Sequence, residues 1–441
     1  MQDLPAPPAA STDVDHPSAD APPPEPRAPL GRILALDAVR GLAVLGILVM
    51  NVVEFGLPIR AYENPAAAGG SSGADLATWL VQQTLFDGKM RALFSMLFGA
   101  GLVLLGEREE RTGRSGADLL LRRCLWLVPF GIAHRFLLQW TGDILYIYGL
   151  IGLIAIAFRR ARPARQIVLG VLFLSAFVPI EAWRYHQAAE LRADAIAAEQ
   201  LIAAGEEVPA PLREARTRWD RRTAPPDPEA LRPEIEALRG SYATVFAYRW
   251  DYHHAFQSGY VYSYFVWDVL GTMLVGMGLL RLRFFHGAWS TRAYVAVLAA
   301  AALAAGAAFL LARAWAATQW SAGALELRAV RGATYPHTRL LVGLGWAAAL
   351  LLVLRAGALR RVTGALAAVG RLAFTNYVLQ TVCCTLLFFG YGLGWYGSLS
   401  RAELMVVWLA VSLVQVAFSL LWLRCFPIGP LEWAWRRLVA R

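Results

Sequence analysis

The sequence predicts an all-α, polytopic membrane helix bundle of about ten transmembrane helices, with both termini cytoplasmic. Three observations predict it. The 441 residues are 57% hydrophobic, with a mean hydropathy of +0.44, well above a soluble domain of average composition. Apolar runs of about 18 or more residues recur along the chain, each long enough to cross a hydrocarbon core as a helix. Finally, basic segments fall between alternate pairs of these runs, as the positive-inside rule requires.

The elements follow in order. Residues 1–31 are rich in Pro, Ala, Ser and Asp and lack an apolar stretch. They are expected to be a disordered cytoplasmic tail rather than a cleavable signal peptide. Ten spans are expected at 33–54, 89–106, 119–138, 143–158, 166–183, 260–280, 293–315, 339–357, 371–389 and 403–423. Between the first two, ADLATWLVQQTLF (74–86) is too short to add a span and is expected to be interfacial or re-entrant. Arg27 and Arg32 precede the first span. EREERTGRSGADLLLRR follows the second, RRARPAR the fourth, RLR the sixth, RAGALRR the eighth, and Arg424, Arg436, Arg437 and Arg441 the tenth. With ten alternating spans, all of these share one face. Residues 32–183 and 258–441 then form two membrane bundles of about five spans each. The polar segment 184–257 between them is expected to be an extracytoplasmic helical cap.

The composition also excludes functions. The net charge of +10 comes from arginine, since Lys89 is the only lysine. Arginines placed between spans set topology, so nucleic-acid binding is not implied. Cys124, Cys383, Cys384 and Cys425 lie in or beside apolar runs with no C-x-x-C. They read as packed small hydrophobes, with no disulfide framework and no metal site. The chain has no G-x-S-x-G, Walker A or H-E-x-x-H motif, so it carries no P-loop ATPase domain, and serine hydrolase and zincin readings lack their motifs.

The first span, LDAVRGLAVLGILVMN, carries a polar set. With Asp37 at zero on a helical wheel, Arg40 falls at about 300°, Asn51 at about 320° and Glu54 at about 260°. A stripe of this kind faces the bundle interior or a water-filled cavity. Asp37 and Arg40 also fit an ion pair at the interface with Arg40 snorkelling, and Asn51 and Glu54 fit a helix end near water.

A first span reading Leu-Asp-x-x-Arg-Gly-x-Ala resembles the transmembrane acyltransferase superfamily, which includes the acyltransferase-3 and heparan-glucosaminide acetyltransferase-like proteins. Further stretches resemble one branch, the YeiB-like bacterial membrane proteins of unassigned function. These are FDGKMRALFSMLFGAG (86–101), HRFLLQWTGDILYIYGLIGL (134–153), WDVLGTMLVGMGLLR (267–281), GRLAFTNYVLQ (370–380) and GPLEWAWR (429–436). The resemblance covers residue 32 to the C-terminus. The sequence departs from the superfamily in its base. Acyltransferase-3 proteins carry a histidine where Asn51 stands, and the heparan-acetyltransferase-like proteins place theirs in the loop after the first span. Here that loop, 55–86, has none.

Another base is therefore needed. His134 alone among seven histidines lies inside an expected span, and Asp143 opens the next helix nine residues later. A tight hairpin brings the two within reach, and a carboxylate on one imidazole nitrogen makes the other a better base. A packed histidine beside an N-capping Asp is the plainer alternative. Lys89 and Arg91 at the outer end of the second span suit an anionic oxygen, or equally a snorkelling anchor. Asp268, buried in its span, is expected to pair with Arg40 or Arg91 or to line the cavity. Asn376 and Gln380 offer a neutral polar face, for substrate or for interhelical hydrogen bonds.

The resemblance implies an acyltransferase of the bacterial inner membrane. An acyl-CoA donor would enter from the arginine-rich face, and the acceptor would be an envelope sugar or small molecule. No tightly bound cofactor is expected. The alternative is a transporter or flippase with an intramembrane polar path. Oligomeric state is open.

Overall fold

The computed structural model describes residues 34–225 and 227–440. The expected disordered tail, 1–31, lies outside the described residues. Helix α1 (Leu34–Gly56) is the first span, apolar on nearly every face. A short α2 (Gly73–Val81) passes through a π-helical turn and the left-handed Gly88 into α3 (Lys89–Glu110). The piece expected to be interfacial or re-entrant, 74–86, is helical, and with α3 it makes one helical stretch, Gly73–Glu110, of 38 residues.

Next come α4 (Gly116–Phe136), α5 (Leu145–Ile156), α6 (Pro163–Ser175) and α7 (Phe177–Ala204). The polar segment adds α8 (Ala210–Thr223), α9 (Arg232–Leu238) and α10 (Tyr242–Ala255). The chain returns through a π-helical stretch into α11 (Val266–Arg281), then α12 (Thr291–Ala317) and α13 (Leu325–Arg355). It closes with α14 (Arg360–Arg371), α15 (Ala373–Phe388), α16 (Arg401–Cys425) and α17 (Pro430–Ala440). No strand occurs among the described residues.

Helix is present at all ten expected positions, but seven helical stretches are long and apolar enough to cross a membrane. The number becomes eight when the bent pair α14–α15 counts as one span. Of the ten expected spans, α4 and α5 are the two that do not meet this measure of length and apolarity. The first carries Arg122, Arg123, His134 and Arg135. The second has 12 residues, about 18 Å of helix against a core of about 30 Å.

The polar segment is not a separate cap joined by loops. It rides on outward extensions of membrane helices: Pro163–Ala204 and Tyr242–Arg281 run for 42 and 40 residues. The first turns of α13 also project into it, with Tyr185 on α7 reaching Glu326. His337 sits inside α13 with Nε2 3.0 Å from the Ser175 hydroxyl. The described residues from Leu34 onward form one compact unit, in which α3 and α6 both pack on α11.

The basic segments meet at one end. Arg159 and Arg160 each reach Glu110 at 2.7 Å, and Arg281 reaches Glu107 at 2.9 Å. Arg123 lies over the Trp435 ring at 3.9 Å. Near the same end α14 and α15 meet at 85°. The break exposes the first amides of α15, and Glu432 of α17 caps them, accepting from the Phe374 and Thr375 N–H groups at 2.8 and 3.1 Å. A carboxylate there also complements the helix dipole.

Helices α3 and α11 interlock through glycine. A side chain on Gly99 would strike the Met273 carbonyl, and one on Gly276 the Met96 carbonyl. In a bilayer such small residues let backbones approach and supply the packing that hydrophobicity cannot. Gly276→Ala is expected to cost about 1–3 kcal/mol as an overpacked contact. Gly101→Ala, with open space around it, is expected to be neutral or to gain up to about 1 kcal/mol from helix propensity. Thermal unfolding in detergent separates the two, and equal losses would contradict the interlock.

Candidate functional site

The bundle opens, at the end opposite the basic segments, into a cavity of about 1970 Å³. Its floor comes from the far end of α1, the start of α3, the α4–α5 turn and α15. Its walls come from the outward arms of α7, α8, α10 and α13. Of the residues singled out in the sequence, Asn51, Glu54, Arg91 and Asp143 line it. The Glu54 carboxylate accepts a hydrogen bond from the Thr141 hydroxyl across the α1–hairpin contact. Asp87 accepts from the Tyr62 and Tyr335 phenols at 2.9 and 3.2 Å. Burial, and then the Asp87 carboxylate, push the Tyr62 phenol well above its ordinary range. Higher up, Arg218 and Arg222 on α8 and Arg328 and Arg331 on α13 make one wall basic. Burial and the neighbouring Arg328 both lower the Arg222 pKa.

The α4–α5 turn has a definite construction. Gln139 takes a left-handed φ of 56°, and its carbonyl accepts from Arg249 of α10. Trp140 stacks on Phe55 at 3.9 Å. Asp143 then caps α5: Oδ1 accepts from Leu145 N–H at 3.2 Å and Oδ2 from Tyr146 N–H at 2.9 Å. The same Oδ1 lies 2.8 Å from His134 Nδ1. The hairpin thus brings His134 and Asp143 together, and Asp143 serves as helix cap and imidazole partner at once. His134 is 2% exposed and does not itself reach the cavity. Its Nε2 lies 2.8 Å from the hydroxyl of Thr381 on α15.

Asp268 sits between two arginines, pairing with Arg91 of α3 and Arg339 of α13. Arg91, one of its two expected partners, is therefore present, and Arg40 is not. Arg339 is fully buried, and its guanidinium lies over the Tyr335 ring at 5.0 Å.

The remaining expected site residues lie elsewhere. Asp37 and Arg40 pair with each other at 3.0 Å near the opposite end of α1, outside the cavity lining. The expectation that all four polar residues of α1 border one cavity is corrected by this placement. The stripe is continuous in angle, but the apolar turns from Gly41 to Met50 separate its two pairs along the axis. Lys89 turns inward to the Gln83 carbonyl and is 2% exposed. Asn376 donates to Ser419 Oγ at 2.9 Å and to the Val369 carbonyl at 3.2 Å. Gln380 donates to the Val44 carbonyl at 3.0 Å and to Gln415 at 3.1 Å. Both amides tie α15 to its neighbours and leave the cavity to other residues. No group of three or more His, Cys, Asp or Glu among the described residues is arranged to hold a metal ion.

Sequence reasoning missed Arg339, Tyr335 and Thr381. Arg339 had a signal: it stands at the outer end of a span, against the charge rule, and such an arginine needs a buried acid. Thr381 had none, since its partner is 247 positions away.

The ion-pair cluster makes a ranking. Asp268→Asn leaves two buried guanidinium groups without their carboxylate and is expected to cost about 3–5 kcal/mol. Arg91→Gln leaves Asp268 paired with Arg339 and is expected to cost less. Thermal unfolding of both variants in detergent checks the order; an equal or reversed order would show that Asp268 is not the shared partner.

Comparisons with known proteins find relatives that match nearly the whole chain. The family described as "Protein of unknown function (DUF418)" matches residues 279–441. The uncharacterized protein YeiB of Escherichia coli (strain K12) is 32% identical over 435 residues, covering 93% of this chain and 97% of that protein. The uncharacterized protein YxaH of Bacillus subtilis (strain 168) is 30% identical over 417 residues, covering 92% and 93%. An uncharacterized 39.9 kDa protein from the amylase 3' region of Bacillus acidopullulyticus is 25% identical over 407 residues, covering 92% and 93%. No solved structure matches. With identity at this level running nearly end to end, the chain belongs to the YeiB-like family of bacterial membrane proteins.

Proposed function

We propose that this protein is an acyltransferase of the bacterial cytoplasmic membrane. It moves an acyl group from an acyl-CoA-type thioester on the arginine-rich face to an envelope acceptor, such as a sugar, in the opposite cavity. One observation carries the reading: a buried His134–Asp143 pair at 2.8 Å directly behind the cavity wall. Asp143 accepts two backbone N–H bonds, so it acts as an acceptor toward the imidazole too. The hydrogen then sits on Nδ1, and Nε2 is left as the basic nitrogen. That nitrogen takes the acceptor's hydroxyl or amine proton. Arg91, at the cavity floor, supplies positive charge for a carboxylate, phosphate or developing oxyanion. Lys89 is turned away from this task. Coenzyme A is a donor's carrier here and not a resident cofactor. Leaving out the α4–α5 hairpin removes two crossings together, so both termini stay on the arginine-rich, cytoplasmic side.

A transporter or flippase is the second reading. It is favoured by a cavity open at one end above the buried Arg91–Asp268–Arg339 cluster, since intramembrane ion pairs mark substrate and proton paths.

Acetyl transfer from acetyl-CoA to an envelope fraction, with the full-length protein in membranes, tests the first reading. His134→Ala and Asp143→Asn are each expected to reduce transfer by about 100-fold or more. Transfer that persists in both variants removes the base pair from the reaction. Proton-coupled uptake into proteoliposomes without any transfer would replace the first reading by the second.

A further inference from the structure

Threonines inside helices commonly return their hydroxyl to a carbonyl three or four residues back. Thr272, Thr363 and Thr385 do so here. Thr381 directs its hydroxyl to His134 Nε2 instead. Three side chains from α15, α4 and the α4–α5 turn therefore stand in line, Thr381–His134–Asp143, with both links at 2.8 Å. Each is at most 2% exposed. Hydroxyl, imidazole and carboxylate in this order are a nucleophile, its base and the group that orients the base.

A second feature lies one helical turn away. The Tyr377 phenol oxygen accepts from Trp140 Nε1 at 3.1 Å and from Ile144 N–H at 3.2 Å, and it donates to the Gly142 carbonyl at 3.0 Å. Two N–H donors thus converge on one oxygen beside the triad. Tyr377, Asp143 and Ile144 all line the cavity, and Thr381 lies four residues beyond Tyr377 on the same helix.

We infer that Thr381 is a covalent nucleophile and that the acyl group rests on its oxygen between donor and acceptor. The inference rests on the acyl-transfer reading for its donor, a thioester. In the first half-reaction the Tyr377 phenol leaves its Gly142 partner, which frees the Trp140 and Ile144 N–H groups, and the thioester of a donor bound on the arginine-rich face reaches Thr381. Thr381 Oγ1 bonds to the thioester carbon and gives its proton to His134 Nε2. The carbon–sulfur bond breaks, and the thiolate leaves with that proton as a thiol. In the second, the acceptor hydroxyl attacks the threonyl ester and gives its proton to His134. The ester bond to Thr381 breaks, and His134 returns the proton to Oγ1. The N–H groups of Trp140 and Ile144, released from the phenol, face the carbonyl oxygen in both steps.

A fluorophosphonate probe tests this without any acyl donor, because it reacts with activated hydroxyl nucleophiles. The full-length protein in detergent is labelled, digested and mapped by mass spectrometry. Wild type is expected to carry the label on Thr381. Labelling is expected to fall about 100-fold or more in Thr381→Val and His134→Ala and to stay within about tenfold in Thr381→Ser. Size-exclusion profiles report whether each variant folds; if Thr381→Val does not, the mapped site and Thr381→Ser decide. No label on wild type, or label on another residue, overturns the inference. Undiminished acetyl transfer by folded Thr381→Val overturns the nucleophile and leaves the acyltransferase standing. Label on Thr381 without turnover of acetyl-CoA keeps the nucleophile and removes that donor.

Discussion

The carboxylate of Asp268 is the constraint on which the rest of this bundle depends. It is held by Arg91 from α3 and Arg339 from α13, so one buried group joins three helices that are far apart in sequence. In an apolar interior a guanidinium without a counter-charge is costly, and two around one acid fix the relative height of their helices closely. Close packing follows from that registration: Gly99 and Gly276 meet the opposite backbones of α11 and α3 only at one height. The start of α3, with Asp87 and Arg91, is thereby placed at the cavity floor. Because Arg91 is both a structural partner and a cavity residue, the site's positive charge is inseparable from the integrity of the core.

The same economy appears at the α4–α5 turn. In this hairpin α4 carries several charged side chains and α5 has only 12 residues. The hairpin is fastened by Arg249 from the outer arm, by Trp140 against Phe55, and by Thr141 on Glu54. These contacts carry Asp143 to the one place where it caps α5 and meets His134. The outward arms are therefore part of the membrane site. They raise the cavity walls and brace the turn that forms its floor. At the other end, Glu432 of α17 satisfies the amides exposed by the α14–α15 break. That bend sets the course of α15, and with it the positions of Tyr377 and Thr381.

Much of this was legible in the sequence. Every described helix that is long and apolar enough to cross a membrane overlaps an expected apolar run, because burial in lipid demands a continuous apolar surface that composition alone reveals. Among the described residues, the basic segments after α3, α5 and α11 and the start of α4 do gather at one end. The pairing of His134 with Asp143 was readable because only nine residues and a glycine turn separate them, so local geometry suffices. Asn51, Glu54 and Arg91 were read as cavity residues from helix periodicity and position. Periodicity failed for Asp37 and Arg40, since a wheel records angle and discards the distance along the axis. It failed for Asn376 and Gln380 too, because a polar side chain facing inward does not say whether another helix or a void receives it.

What the sequence determined by itself is therefore the set of local and one-dimensional features: an all-helical membrane chain, the spacing of its basic segments between apolar runs, and groups close enough in the chain to meet. Only the tertiary structure decided the rest. It joined Asp268 to Arg339 and His134 to Thr381, contacts between residues 71 and 247 positions apart. It also turned the polar segment into arms of membrane helices and left α5 too short to cross. The physical reason is common to all of these. They depend on how rigid helices seat against each other, and that seating is set by glycine contacts, buried ion pairs and caps whose partners lie far away in the chain.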